Sequence, residues 1–301
     1  MTEVAQRVQH VYEFAKLERV PEGPTSAKVS PRKLLSGPTL DKGKSSTMAA
    51  VLVGDKLAIA LASMVRGSGA KAHTHPNEQL NYIVQGAMYS EVEGVREVVT
   101  QGMVMHNPAN AVHMGVSCPD EDLMFLAMKD TRHGITGPPV DGKYDGPAYL
   151  PGFGKRADEK VVTTADLVAE LERNPQPGAM RYIFDVTAGA PAPAGPASAT
   201  VTPGVALALP QGITGTLVTA EMLHAAVLHL APGASIPAHA HANEQFTFVV
   251  EGALQIELEG ESESVGRHCA LHVPAGLRHR IAAAQGAVIV TLQDTRHKFT
   301  A

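Results

Sequence analysis

The apolar residues of this chain come in short runs, rich in β-branched side chains and closed off by Gly, Pro or Asn. Asn81–Val84, Val95–Thr100, Phe246–Val250 and Ala287–Leu292 are examples. Runs of that length read as strands, and their close spacing predicts a sandwich or barrel rather than alternating strands and helices. One segment departs from this. Thr164–Arg173 (TADLVAELER) is helical in pattern, with a capping-box-like start in Thr163 and Asp166 and Pro175 to stop it. Val8–Leu17 is a short amphipathic stretch, followed by a run rich in Pro, Gly, Ser and Lys. Ala188–Gly204 (AGAPAPAGPASATVTPG) is too poor in large apolar residues to pack, and reads as a linker.

The pattern occurs twice. Leu57–Met64 (LAIALASM) and Leu223–Leu230 (LHAAVLHL) hold the same place in two repeats, which span roughly residues 45–135 and 212–299. The first repeat carries Gly67, His73, His75, Gln79 and Gly86, then Gly102, Pro108 and His113. The second carries Gly233, His239, His241, Gln245 and Gly252, then Pro274, Gly276 and His279. His73 and His239 lie 166 positions apart, as do His113 and His279. Lys129–His133 (KDTRH) likewise returns as Gln293–His297 (QDTRH).

This spacing suits metal binding. Two histidines at i and i+2 on a strand face one side of a sheet. A glutamine after a short turn can add a carbonyl oxygen, and a third histidine arrives from a distant strand. The expected ligands are His73, His75, Gln79 and His113 in one half, and His239, His241, Gln245 and His279 in the other. Three imidazoles and a neutral amide leave a divalent ion its full charge, favouring Lewis-acid activation of a carbonyl or hydroxyl. Fe, Mn, Ni, Co and Zn all suit such ligands, up to two ions per chain.

The motifs resemble those of the cupins, G-x5-H-x-H-x3–4-E-x6-G followed by G-x5-P-x-G-x2-H-x3-N. The resemblance implies an all-β protein with two double-stranded β-helix (jelly-roll) barrels in tandem, a bicupin. The corresponding division is an N-terminal arm at 1–45, a barrel at 46–150, a helix and Pro/Ala-rich linker at 151–211, and a barrel at 212–301. Gln79 and Gln245 stand where the commoner motif has Glu. Asn110 and His268 stand at glycine positions, and Ser117 and Ala283 replace the final Asn. The His-x-His-x-Asn-Glu-Gln form is similar to cupins that act as isomerases and lyases, the bicupin isomerase of the bacilysin pathway among them.

Other residues invite roles. His106 and His272, each two positions before the motif proline, are candidates for pocket-lining acid or base groups, or else buried, hydrogen-bonded barrel histidines. Glu78 and Glu244 should point away from their glutamine neighbours. The Asp-Thr-Arg-His segments either anchor a substrate carboxylate or end the last strand with a local Asp–Arg pair.

Composition narrows the class. The chain has 301 residues, enough for two domains, with 44% hydrophobic and 18% charged residues and a formal charge of −5. That charge disfavours nucleic acid. No apolar run is long enough to span a membrane, and Met1–Lys16 lacks signal-peptide character. Cys118 and Cys269, one per half, suggest a reducing compartment without a disulfide framework. The expectation is a cytoplasmic, metal-dependent enzyme acting on a small molecule, of isomerase, tautomerase or lyase type, and possible as a homo-oligomer. The rival readings are an Fe(II)-dependent dioxygenase and a non-catalytic small-molecule-binding bicupin.

Overall fold

The computed structural model describes residues 7–37, 39–132, 136–187 and 197–301. Each repeat folds into a pair of antiparallel sheets. In the first half, a seven-stranded sheet runs Ile183–Asp185, Met103–Asn107, Gln79–Gln85, Leu123–Asp130, Leu57–Met64, Met48–Val53, Lys28–Leu34. It faces a five-stranded sheet containing Ser68–His73, His113–Ser117 and Ala87–Val92. The second half repeats this with Cys269–Val273, Gln245–Gly252, Ala287–Asp294 and Leu223–Leu230 central in its large sheet, and Ala234–His239, His279–Ala283, Leu254–Leu258 and Glu261–Val265 in its small one.

The two kinds of sheet differ in burial for a physical reason. Small-sheet strands alternate between buried and accessible residues, as in Ala87–Val92 and Leu254–Leu258, because one face meets solvent. Large-sheet strands such as Gln79–Gln85 and Leu223–Leu230 are buried almost throughout. Their inner faces fill the barrels, and their outer faces pack against each other. Leu80, Tyr82, Leu126 and Met128 of the first half share one core with Val227, Phe246, Phe248 and Leu292 of the second.

The segment leading into each barrel completes the sheet of the other. Val11–Glu13 pairs with Cys269–Val273, and Ile183–Asp185 pairs with Met103–Asn107. The two regions read as arm and linker are therefore partly structural. Lys28–Leu34 extends the first large sheet, and Thr200–Pro203 extends the second. The stretch 188–196 of the expected linker lies outside the described residues; Thr200–Pro203 forms a strand despite its small side chains, because a sheet edge offers backbone partners. The helix Thr164–Arg173 has the expected bounds and a complete capping box between Thr163 and Asp166. Asn110 (φ 62°) and His268 (φ 59°) keep the left-handed backbone that glycine adopts at Gly276 (φ 80°) and Gly102 (φ 86°) in the sister repeat. Cys118 and Cys269 are buried and free. Among the described residues, no helix is long and apolar enough to cross a membrane.

Two buried carboxylates lock the halves together. Glu244 accepts the backbone N–H groups of Asp55 (2.7 Å), Lys56 (2.7 Å) and Leu57 (2.9 Å) in the opposite barrel, and His272 Nε2 lies 2.8 Å away. Gly54 makes room, since a Cβ there would sit 2.0 Å from the Glu244 carboxylate. Glu78 mirrors this with the N–H groups of Glu221 (3.0 Å) and Met222 (2.7 Å) and with His106 Nε2 (2.9 Å). Burial alone would raise both carboxyls, but the histidine and backbone hydrogen bonds outweigh it and hold them below the usual range. Removing either carboxylate strands buried backbone donors. Glu244→Ala and Glu78→Ala are each expected to lower the unfolding free energy by about 2–4 kcal/mol, read by urea denaturation; wild-type stability in both would contradict the lock.

Candidate metal centres

Each barrel brings its three motif histidines together, with their nearest nitrogens all within 4.8 Å of one another. His73 ends one strand and faces His113 across an antiparallel pair; His239 and His279 are paired in the same way. The second histidine arrives differently from expectation. Strands Ser68–His73 and Ala234–His239 stop before His75 and His241, which reach the cluster from the following turn. Pro76, with no N–H to give, helps end the first strand. Asn77 and Asn243 brace these turns by donating to the backbone carbonyls of Asp130 (2.7 Å) and Asp294 (2.7 Å).

All six rings are held in one orientation. The Nδ1 atoms of His73, His75 and His113 lie 2.7, 2.9 and 3.0 Å from the carbonyl oxygens of Lys71, Asn77 and Ala111. Those of His239, His241 and His279 lie 2.8, 2.8 and 3.1 Å from the carbonyls of Pro237, Asn243 and Leu277. A carbonyl only accepts, so Nδ1 carries the proton and Nε2 presents its lone pair to the centre. In the second barrel, Nε2 of His239 and of His279 is buried with no hydrogen-bond partner. Buried lone pairs converging without donors are what a cation would satisfy, so the residues present fit a metal ion.

The glutamines complete the fit. Gln79 Oε1 lies 3.1 Å from His75 Nε2, while its amide nitrogen donates to Asn81 Oδ1 at 2.6 Å. Gln245 is turned alike, its nitrogen donating to Thr247 Oγ1 at 3.0 Å, and its carbonyl accepts from Gln293 at 2.6 Å.

The two interiors are not equal. The first barrel encloses a cavity of about 110 Å³, bordered by His73, Gln79 and His113. Small residues create it: Ala60, Ala62, Ala70 and Ala127 line the cavity. The second barrel has Ala226, Leu228, Ile236 and Thr291 at those repeat positions, and Leu228 and Ile236 pack into its core. Phe299 and Ala301 also pack on that core, and Gln293 bonds to both the carbonyl and the N–H of Thr300, at 2.6 and 3.1 Å.

Two lysines, absent from the sequence-based site, line the first cavity. Lys129 Nζ lies 3.2 Å from His75 Nε2, and Lys44 Nζ donates to the Gly137 carbonyl. Burial lowers Lys129 to about 7 and Lys44 to about 8. The mismatch of Lys129 with Gln293 in the two KDTRH-like repeats was the available signal for one of them; nothing in the Lys-rich N-terminal run singled out Lys44.

His106 and His272 do not line this cavity. Both are buried against the interface, each between a glutamate and a serine: His106 Nδ1 is 2.7 Å from Ser198 Oγ, and His272 Nδ1 is 2.9 Å from Ser26 Oγ. Strand alternation explains the correction, because the neighbours Met105 and Asn107 take the cavity side. Arg132 and Arg296 pair locally with Asp130 (2.9 Å) and Asp294 (2.7 Å) rather than reaching a pocket. His133 lies outside the described residues.

Fold and site together define a tandem-barrel protein with one three-histidine cluster per barrel. A family model described as "Cupin domain" matches residues 60–129 and 226–298, one stretch in each barrel, so each barrel carries a cupin domain. Oxalate decarboxylase from Bacillus subtilis at pH 4.6 is similar in fold, with a TM-score of 0.63 and 12% identity over 99% of this chain and 79% of that one. AerE from Microcystis aeruginosa gives 0.54 and 13% over 88% and 97%. No curated protein matches the sequence. At these identities the structural likeness is one of fold alone.

Burial first, with nearby positive charge second, lowers His73 from 6.5 to about 3 and His75 to about 4; burial likewise takes His279 to about 4. Unfolded imidazoles protonate near 6.5, so between that pH and the folded values the unfolded chain binds more protons. The contribution of these histidines to the stability of the metal-free protein should therefore be flat above roughly pH 7 and fall as pH drops below about 6.5. His75→Ala should make that fall shallower in urea titrations between roughly pH 6.5 and 5; an unchanged slope would contradict the assignment.

Proposed function

We propose that the protein is a metal-dependent enzyme acting on a small oxygenated molecule, with turnover in the first barrel. His73, His75, His113 and Gln79 would hold the ion there, and His239, His241, His279 and Gln245 would hold one in the second. A divalent transition metal so placed polarises a carbonyl or hydroxyl as a Lewis acid. The observation that carries this reading is the opening of the first cluster, and not only its ligands, onto a cavity.

The chain's own residues do the rest. The carbonyl-tied imidazoles keep their lone pairs aimed at one point, and Asn81 keeps the Gln79 oxygen turned the same way. Met88, Met105 and Phe125 give the cavity an apolar wall that limits water beside the polar cluster. A wholly neutral ligand set favours isomerase, tautomerase or lyase chemistry, in which charge develops on substrate oxygen. The second barrel, filled by aliphatic side chains, serves as a structural metal site.

Elemental analysis of protein purified without added metal should find close to two equivalents of divalent metal per chain, and about one in His113→Ala. Zinc-loaded protein under nitrogen should then catalyse deuterium exchange or rearrangement of a member of a panel of small hydroxy and oxo compounds, followed by proton NMR in D₂O. Turnover that stops when oxygen is removed would assign dioxygenase chemistry instead.

A further inference from the structure

We propose that the cavity of the first barrel is a site for a small hydroxycarboxylate, with Lys44 and Lys129 gripping the carboxylate and Asn107 accepting the hydroxyl. This deepens the metal-centre reading and rests on it for placing the cavity beside a catalytic ion. Strand register builds the site. Gln79 stands directly opposite Asn107 on one neighbouring strand and Lys129 on the other, so the three share one face beside the histidines. Lys44 comes from the loop before the barrel, held where its carbonyl accepts the Lys71 N–H at 2.8 Å.

The polarity of the cavity specifies the occupant. Lys44, Lys129 and Asn107 are only 4%, 8% and 1% exposed. Lysines are rarely buried so deeply, and here two border one small space that, among the described residues, has no aspartate or glutamate in its lining. Asn107 Oδ1 is buried without a hydrogen-bond partner, leaving an acceptor for a ligand O–H. Two lysines that a bound carboxylate would hold in the charged form, beside a cluster that would hold a metal ion, and one open acceptor call for an anion that also carries a hydroxyl. A cavity of about 110 Å³ is below the ~150 Å³ that admits a benzene ring, so the acid is short.

The second barrel provides an internal contrast. Gln245 stands opposite Val273 and Gln293 in the same two registers, and Pro210 holds the repeat position of Lys44. Every element of the grip is missing there, so one anion should bind per chain.

Calorimetric titration with 2-hydroxybutanoate, its neutral amide and butanoate tests this on zinc-loaded and metal-stripped protein. The acid should bind once per chain, about tenfold or more tighter than the amide, and this preference should persist without metal because the lysines supply it. Lys44→Met and Lys129→Gln should each weaken the acid about tenfold and leave the amide unchanged; Asn107→Val should erase the advantage over butanoate. Lys129→Arg, which keeps the charge, should bind the acid better than Lys129→Gln. Equal binding of acid and amide, insensitivity to both lysine changes, two anions per chain, or no binding at roughly millimolar acid would each overturn the proposal. Failure of the metal reading would appear separately, as absent metal with the anion preference of the stripped protein intact.

Discussion

Three imidazoles, two buried and one half-buried, with their lone pairs aimed at one another form an arrangement that repels itself. It persists in each barrel because every Nδ1–H is tied to a backbone carbonyl two residues away, which fixes both tautomer and ring direction. Burial keeps His73, His75 and His279 from relieving the conflict by taking up protons. A divalent cation would resolve it, and on the proposed reading the glutamine carbonyl beside each cluster would add an uncharged oxygen.

The rest of the fold serves to hold those rings still. The large sheets pack back to back, each completed by a strand from the segment preceding the other barrel. Glu78 and Glu244, immediately before Gln79 and Gln245, reach in the opposite direction and bond to the other barrel's hairpin. Each ligand strand is therefore anchored on its outer face to the opposite domain, while its inner face positions the centre. A loosened interface would be felt at both clusters.

Much of this was legible in the sequence, and the rest failed for identifiable reasons. The duplicated histidines announced two equivalent barrels because metal ligation demands residue types that patterning alone would not place in register. The helix was readable from its capping box, a local signal. The swapped strands were not, because Val11–Glu13 and Ile183–Asp185 find partners on the other repeat, and pairing at that distance leaves no local trace. His106 stayed open between pocket and core for want of register: it pairs with Leu80, on the side opposite Gln79. The deep symmetry of the repeats also concealed where they differ, in Ala62 against Leu228 and Lys129 against Gln293, and those differences distinguish an open barrel from a filled one.

The central claim is that all six motif imidazoles carry their proton on Nδ1 and present Nε2 inward. Long-range proton–nitrogen correlation NMR on metal-free, nitrogen-15-labelled protein reads this directly. The account predicts the Nδ1–H pattern for all six rings at roughly pH 8, where imidazole is ordinarily neutral, with inward Nε2 resonances shifting on addition of zinc. Nε2–H tautomers or Nε2 resonances indifferent to zinc would contradict it.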